Sequence, residues 1–108
     1  MEQIAKTPEP PYLAVIFTAI RNGEDAQGYA DAAQRMLELA SRQPGFLGVE
    51  SVREQGGPGI TVSYWKDKKS ILDWKNHTAH RQAQRFGKEK WYRSYKIRLA
   101  KVEKDYGH

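Results

Sequence analysis

Hydrophobic and polar positions divide the chain into strand-like and helix-like segments. Residues 12–20 are almost wholly apolar and rich in β-branched and aromatic side chains, which predicts a strand buried on both faces. Residues 46–53 and 60–65 predict two more strands, and the glycine-rich loop at 55–59 favours an antiparallel hairpin between them. Residues 95–102 alternate apolar and polar side chains, which predicts a final strand. In the third strand, alternation predicts two faces: Ile60, Val62 and Tyr64 on one, and Thr61, Ser63 and Trp65 on the other.

Two segments between these strands carry apolar side chains at the spacing of a helix. The apolar side chains within residues 25–42 fall on one stripe at helical spacing, which predicts a helix. A Pro-Gly pair follows the segment and ends this helix. Asp67 is suited to cap a second helix over residues 68–87. Residues 88–94 predict one further short helical turn.

The resulting order of elements, βαββαβ, predicts an α+β fold of the ferredoxin-like type. Residues 1–11 hold three prolines within five positions and predict an N-terminal tail, so residues 12–108 form a single domain. Two helices cover one face of a four-stranded sheet, yet the first strand is apolar on both sides. We therefore expect a second copy to cover the other face, as in a homodimeric α+β barrel.

Composition narrows the class of protein further. The chain has 108 residues and no cysteine, which excludes disulfide scaffolds, thiol catalysis and cysteine-based zinc sites. Its longest apolar run, residues 13–17, is far too short for a membrane span, so no membrane partner is expected. No signal-peptide pattern opens the chain, and the cytoplasm is the simplest expected compartment.

Charge is distributed unevenly along the chain. Residues 1–60 carry five basic and eight acidic side chains, whereas residues 61–108 carry thirteen basic and five acidic ones. Such asymmetry raises the question of nucleic acid, but the strands lack the pattern of RNA-binding sheets. We therefore expect a solvated basic face and no nucleic-acid partner.

The polar side chains that could take part in catalysis or ligand binding lie in the second half of the chain. His77 and His80 are three residues apart, which would place them on one side of a continuous helix. Asp73, one turn earlier, could orient His77 or cap the chain locally. No third potential ligand lies at a spacing from the two histidines that is typical of a metal site, so no metal site is expected. Either histidine could act as a base in a pocket, or both could be structural.

Trp74 lies one helical turn before His77 on the predicted helix. A lone tryptophan on the apolar side of a helix usually belongs to the core. Its alternative role is to line a cavity between helix and sheet, where its flat ring would pack against a flat ligand. Trp65 allows the same two interpretations.

Several of these residues together resemble a known family. The segment Pro44-Gly45-Phe46-Leu47-Gly48, the pair Tyr64-Trp65, and Trp74 followed by His80 stand in the order typical of the antibiotic biosynthesis monooxygenase (ABM) family. The resemblance covers residues 12–102, and the segment 84–92 is similar to an uncharacterised bacterial subgroup. It implies a dimeric α+β barrel, in agreement with the predicted order of elements.

The resemblance also implies a reaction. Some family members oxygenate aromatic or polyphenolic compounds with O2 and without metal or flavin, which implies a cofactor-independent monooxygenase for an aromatic or quinol-like metabolite. His80, or failing that His77, would be the catalytic base, with Trp74 as the third catalytic residue. Trp74 and Tyr64 would form pocket walls. The other expected substrate contacts are Trp65, Gln84 and Phe17.

A second branch of the family degrades haem and implies an alternative function. That branch uses an asparagine on the first strand, a tryptophan, and a haem-ligating histidine on the second helix. Trp74 matches the tryptophan, but Gln84 stands at the histidine position and residues 12–20 contain no asparagine. His77 or His80 could bind haem from another helical turn. The alternative is thus a dimeric protein that binds haem or another hydrophobic ligand without monooxygenase turnover.

Overall fold

The computed structural model describes residues 4–23, 25–86 and 91–108. Within them the elements follow in the order β1 (Tyr12–Arg21), α1 (Ala26–Ser41), β2 (Phe46–Arg53), β3 (Pro58–Trp65), α2 (Lys68–Lys75), α3 (Thr78–Phe86) and β4 (Tyr92–Val102). All strand pairs are antiparallel, and the order across the sheet is β2-β3-β1-β4. This arrangement confirms the predicted ferredoxin-like α+β fold.

The apolar first strand lies at the centre of the sheet. β1 pairs with β3 on one side and with β4 on the other. Ala14 and Ala19 point to opposite faces of the sheet, because side chains alternate along a strand, and both are buried. The continuous apolar run therefore belongs to a strand with neighbours on both edges, and the strand is buried in part on each face.

The helices lie against one face of the sheet, which we call the helix face. Leu13 pairs with Trp65 there, and Trp74 of α2 stacks on Trp65. Ala14 is the residue after Leu13 on β1, and Tyr64 is the residue before Trp65 on β3. Both side chains point to the opposite face, which we call the open face. The predicted separation of Tyr64 and Trp65 onto opposite faces is confirmed.

The single helix predicted over residues 68–87 is wrong, because the chain breaks it into α2 and α3. Asn76 is the C-cap of α2, and its backbone N–H donates to the carbonyl of Leu72. The backbone carbonyl of His77 then accepts from the N–H of Arg81 at 2.9 Å and opens α3. Asparagine and histidine have low helix propensity, so two consecutive ones favour a break.

The last strand also begins earlier than its alternation predicts. β4 starts at Tyr92, so residues 92–94 form strand rather than the predicted helical turn. Residues 88–90 of that predicted turn lie outside the described residues. Tyr92 extends the strand because its ring packs on Phe17 at 5.3 Å between centroids.

Part of the open face is covered by the chain itself. The backbone N–H of Ala5 donates to Glu50 Oε2 at 3.0 Å, and Gly48, which has no side chain, leaves room for the Ala5 methyl group. At one end, therefore, this face is covered by residues of the chain itself and not by the expected second copy. Further along the strands, Val52 and Ile60 stay 70% and 41% exposed.

Gly45 links the end of α1 to the start of α2. Its backbone has a φ of 86°, in the region that favours glycine, and its carbonyl accepts from the N–H of Lys66 at 2.8 Å. A Cβ at this position would lie 2.6 Å from the Cβ of Ser70. Ser70 is buried and bonded to Asp67, the N-cap of α2. Gly45 therefore sets where α2 begins and, through it, where Trp74 lies.

We expect Gly45→Ala to lower the free energy of unfolding by about 2 kcal/mol or more, because it adds both backbone strain and a clash with Ser70. Gly23→Ala is the matched control, since Gly23 has a φ of 84° but open space around its Cα. That control should cost about 1 kcal/mol. Urea unfolding measures both. Equal losses in the two variants would contradict the role assigned to Gly45.

Candidate functional site

Three aromatic rings form a stack on the helix face. Trp65 at the end of β3 and Trp74 on α2 lie 6.4 Å apart between ring centroids, with 23° between their planes. The imidazole of His80 on α3 lies 4.4 Å from the ring of Trp74, at 10°. Three elements of the fold thus converge on one stack, which we call the helix-face stack.

Trp65 anchors this stack in the core. It is 1% exposed, and the ring of Phe46 packs edge-on against it at 5.4 Å. Its indole N–H donates to Ser63 Oγ at 2.9 Å, which satisfies the one polar group of a buried tryptophan. Trp65 is therefore held by the sheet, while Trp74 and His80 are only half-buried.

His80 has a fixed tautomer. Its Nδ1 lies 3.0 Å from the backbone oxygen of Trp74, and because a carbonyl only accepts, Nδ1 must carry the proton. Nε2 then holds a lone pair in the neutral ring. Burial lowers the pKa of His80 below its ordinary value of 6.5, although the hydrogen bond to Trp74 opposes that shift. The geometry gives a neutral imidazole that is able to accept a proton at Nε2.

His77 lies at the junction of α2 and α3 rather than on one continuous helix. Its ring is 5.4 Å from that of Trp74, tilted by 43°, and its charge contributes to lowering the pKa of His80. Asp73, expected to orient His77 or cap the chain, forms an ion pair with Lys69 at 2.7 Å. The structure thus places both histidines beside Trp74.

Phe17 and Gln84 lie on the helix side but outside the helix-face stack. Leu13 is the β1 residue that pairs with Trp65. Phe17 lies four residues further along β1, a distance of about 13 Å. Its ring contacts those of Tyr92 and Tyr95, at 5.3 and 5.7 Å. Gln84 follows His80 by one turn of α3, on the same side of the helix. Both remain predictions as substrate contacts.

Tyr64 is the expected site residue that the fold separates from the others. It points to the open face, so Tyr64 and Trp74 cannot wall one pocket within a single chain. Its hydroxyl donates to Glu50 Oε1 at 2.6 Å, and burial together with that hydrogen bond raises its pKa to about 12. A cavity of about 440 Å³ on this face includes Tyr64, Tyr12, Glu50 and Asp105 in its lining.

The polar residues on the open face were missed by reasoning from sequence. Tyr12 donates to Asp105 Oδ2 at 2.5 Å, and Thr7 donates to the hydroxyl of Tyr12 at 2.9 Å. Asp105 stands 93 positions after Tyr12, so spacing gives no sign of this pair. The one available signal was Glu50, an acidic residue on the otherwise uncharged face of its strand.

The described residues bear on metal binding, haem binding and membrane insertion. These include no group of three histidine, aspartate or glutamate side chains able to hold a metal ion. Trp74 covers one face of the His80 ring, and neither this cavity nor a second one of about 380 Å³ beside β2 includes a histidine. Neither of these two cavities therefore offers a histidine ligand to haem. No described helix has the length and hydrophobicity of a membrane span.

The fold and the helix-face stack define a ferredoxin-like α+β protein with a histidine held against tryptophan. The model of the antibiotic biosynthesis monooxygenase family matches residues 11–85. The chain therefore belongs to that family, as its sequence motifs indicate.

Two known proteins are similar to this chain in sequence. An uncharacterised protein of Bacillus subtilis (strain 168), YqjZ, is 53% identical over 104 residues, which cover 96% of this chain and 90% of YqjZ. Jasmonate monooxygenase ABM of Pyricularia oryzae (strain 70-15) is 25% identical over 92 residues, which cover 83% of this chain and 43% of that protein.

Solved structures share the fold at low identity. SnoaB, a cofactor-independent oxygenase from Streptomyces nogalater, matches with a TM-score of 0.75 at 13% identity, covering 89% of this chain and 97% of SnoaB. Rv0793 from Mycobacterium tuberculosis matches with a TM-score of 0.76 at 10% identity, covering 90% of this chain and 99% of Rv0793. At these identities the likeness shows the fold alone.

Removal of the Trp74 ring should raise the pKa of His80 toward 6.5, because the desolvating ring is gone. We expect this in Trp74→Leu, measured by NMR titration of the imidazole signals. Leu72→Ala, on the same helix but at a side chain that is 55% exposed, should leave that pKa unchanged. An unchanged pKa in Trp74→Leu would show that the stack does not desolvate His80.

Proposed function

We propose that the protein is a small monooxygenase that oxidises an electron-rich aromatic or quinol-like metabolite with O2, without metal or flavin. The observation that carries the proposal is the neutral His80, stacked on Trp74 with its Nδ1–H donating to the Trp74 carbonyl, which leaves the lone pair of the ring on Nε2. Membership in the family supports the reaction class. A flat substrate is favoured because the neighbouring aromatic rings offer stacking contacts.

The chemistry follows from the slow reaction of ground-state O2 with closed-shell organic molecules. His80 Nε2 accepts a proton from the substrate, which leaves an electron-rich anion. The anion transfers one electron to O2, and the organic radical and superoxide combine into a peroxide anion, which takes the proton back from His80. For an anthrone, loss of water from this peroxide gives the quinone, so that one oxygen atom enters the product and the other leaves as water.

The surroundings of His80 suit this proton transfer. Because burial lowers its pKa, His80 is neutral at neutral pH and ready to act as a base. The basic surplus of residues 61–108 favours an anionic substrate through long-range attraction. Trp74 and Trp65 exclude water from one side of the stack, which strengthens electrostatic effects there.

We expect His80→Gln to lower kcat/KM for an anthrone by about 10²–10⁴-fold, because it removes the base. O2 consumption with a model anthrone measures this, and His108→Gln at the exposed C-terminus is the control. Wild-type activity should fall with acid only below pH 6.5, since His80 must be deprotonated and its pKa is lowered. Full turnover in His80→Gln would contradict the assignment, and loss of turnover in His77→Gln alone would transfer the role to His77.

A haemin titration separates this function from the haem-binding alternative. If wild-type protein shifts the Soret band and His77→Ala or His80→Ala abolishes the shift, the helix face is a haem site. If neither haemin nor an anthrone under O2 gives any protein-dependent change, the monooxygenase proposal loses its support.

We also infer that two copies associate through the open face. Val52 and Ile60 are exposed apolar side chains on that face, and removing them from water stabilises association. Among the described residues, those of the same chain cover this face at the end near Tyr12 and Tyr64. The remaining strip suits a symmetric contact between identical sheets.

Sedimentation velocity at micromolar protein tests this association. We expect a dimer for the wild type and a monomer for Ile60→Asp, because a charge would be buried in the contact. Leu72→Asp, at an exposed side chain on α2, should remain dimeric. A wild-type monomer, or dimers for both variants, would contradict this interface.

A further inference from the structure

Oxidisable side chains form a path through the sheet from the helix face to the open face. The path starts at Trp74 and continues to Trp65, 6.4 Å away between ring centroids. Tyr64 is bonded to Trp65 through the backbone and points to the opposite face. The ring of Tyr12 lies 5.8 Å from that of Tyr64. Indoles and phenols are the side chains that one-electron oxidants attack most readily.

Each tyrosine on this path has a carboxylate in place to accept its proton. Tyr64 donates to Glu50 at 2.6 Å, and Tyr12 donates to Asp105 at 2.5 Å. The hydrogen bond to Asp105 raises the pKa of Tyr12, and burial together with the hydrogen bond to Glu50 raises the pKa of Tyr64. Both phenols are therefore protonated at neutral pH. A phenol that loses an electron becomes a strong acid, and a hydrogen-bonded carboxylate then takes the proton without a further movement.

We propose that Trp74, Trp65, Tyr64 and Tyr12 form a one-electron relay that carries oxidising equivalents from the helix-face stack to the cavity on the open face. In the first step an organic peroxyl radical takes one electron from Trp74 and becomes a peroxide anion. Trp65 reduces Trp74, and Tyr64 reduces Trp65 while its proton passes to Glu50. Tyr12 reduces Tyr64, which regains its proton from Glu50, and the proton of Tyr12 passes to Asp105.

The relay ends where a soluble reductant can reach it. Tyr12 and Asp105 both line the cavity of about 440 Å³ on the open face. Ascorbate in solution supplies the electron that restores Tyr12, and Asp105 returns the proton it held to the phenol oxygen. The proton that ascorbate loses enters solvent and balances the protonation of the peroxide anion. The relay needs no turnover of a substrate, so it stands apart from the proposed monooxygenase activity.

A second aromatic cluster has cations around its phenol and serves as an internal control, although the indole N–H of its Trp91 donates to Asp25 Oδ2 at 3.4 Å. Trp91 packs against Tyr29 at 5.8 Å between ring centroids. The hydroxyl of Tyr29 accepts from Arg53 Nη2 at 2.6 Å, and the guanidinium of Arg21 lies 3.9 Å from its ring. Two cations beside a phenol disfavour the loss of an electron, and an arginine cannot accept the proton.

Exposure of the full-length protein to azide radicals, followed by peptide mass spectrometry, tests the relay. Each radical takes one electron and becomes azide ion, and irreversible oxidation products then mark the side chains that retain the damage. We expect Tyr64→Phe to raise the oxidised fraction of Trp74 and Trp65 several-fold relative to wild type. The oxidised fraction of Trp91 should not change.

Glu50→Gln tests the proton acceptor with the phenol in place. It keeps the shape of the side chain, and we expect it to raise oxidation of Trp74 in the same direction as Tyr64→Phe. Tyr95→Phe, which removes a phenol outside the path, should leave Trp74 at the wild-type level. The proposal is overturned if Trp74 oxidation is the same in wild type, Tyr64→Phe and Glu50→Gln, or if Trp91 oxidation rises equally.

Discussion

The packing of Trp65 is the constraint on which the helix face depends. It is the most fully buried large side chain among the described residues. Phe46 meets its edge, Trp74 stacks on it, and Ser63 satisfies its N–H. These contacts join β2, β3 and α2 into one unit. Since His80 is held in turn by the ring and the carbonyl of Trp74, the orientation of the proposed base follows from the burial of one indole.

The order and type of the elements could be predicted because each strand and helix has a distinct hydrophobic period. The break between α2 and α3 could not, since a helical stripe continues across Asn76 and His77 while their low propensity acts only locally. Cover of the open face by residues 4–7 was also beyond prediction. It depends on Gly48 leaving room for Ala5 and on a long-range contact with Glu50.

The candidate site was predictable in part. Trp74 and His80 stood out by residue type and family resemblance, and they lie in contact. Tyr64 and Trp74 do not wall one pocket within a single chain, because the alternation of β3 assigns Tyr64 and Trp65 to opposite faces. Tyr64 and Trp65 are neighbours in the sequence motif, whereas strand geometry separates their side chains. The fixed tautomer of His80 and the Tyr12–Asp105 bond depend on tertiary contacts.

The location of the aromatic-binding site is the central claim, and NMR under anaerobic conditions tests it most directly. An anthrone is titrated into isotope-labelled protein without O2, so that binding occurs and oxidation does not. The account predicts that the indole N–H signal of Trp74 and the imidazole signals of His80 shift together, while the ring signals of Tyr64 stay in place. Shifts centred on Tyr12 and Tyr64, with Trp74 and His80 unchanged, would contradict it.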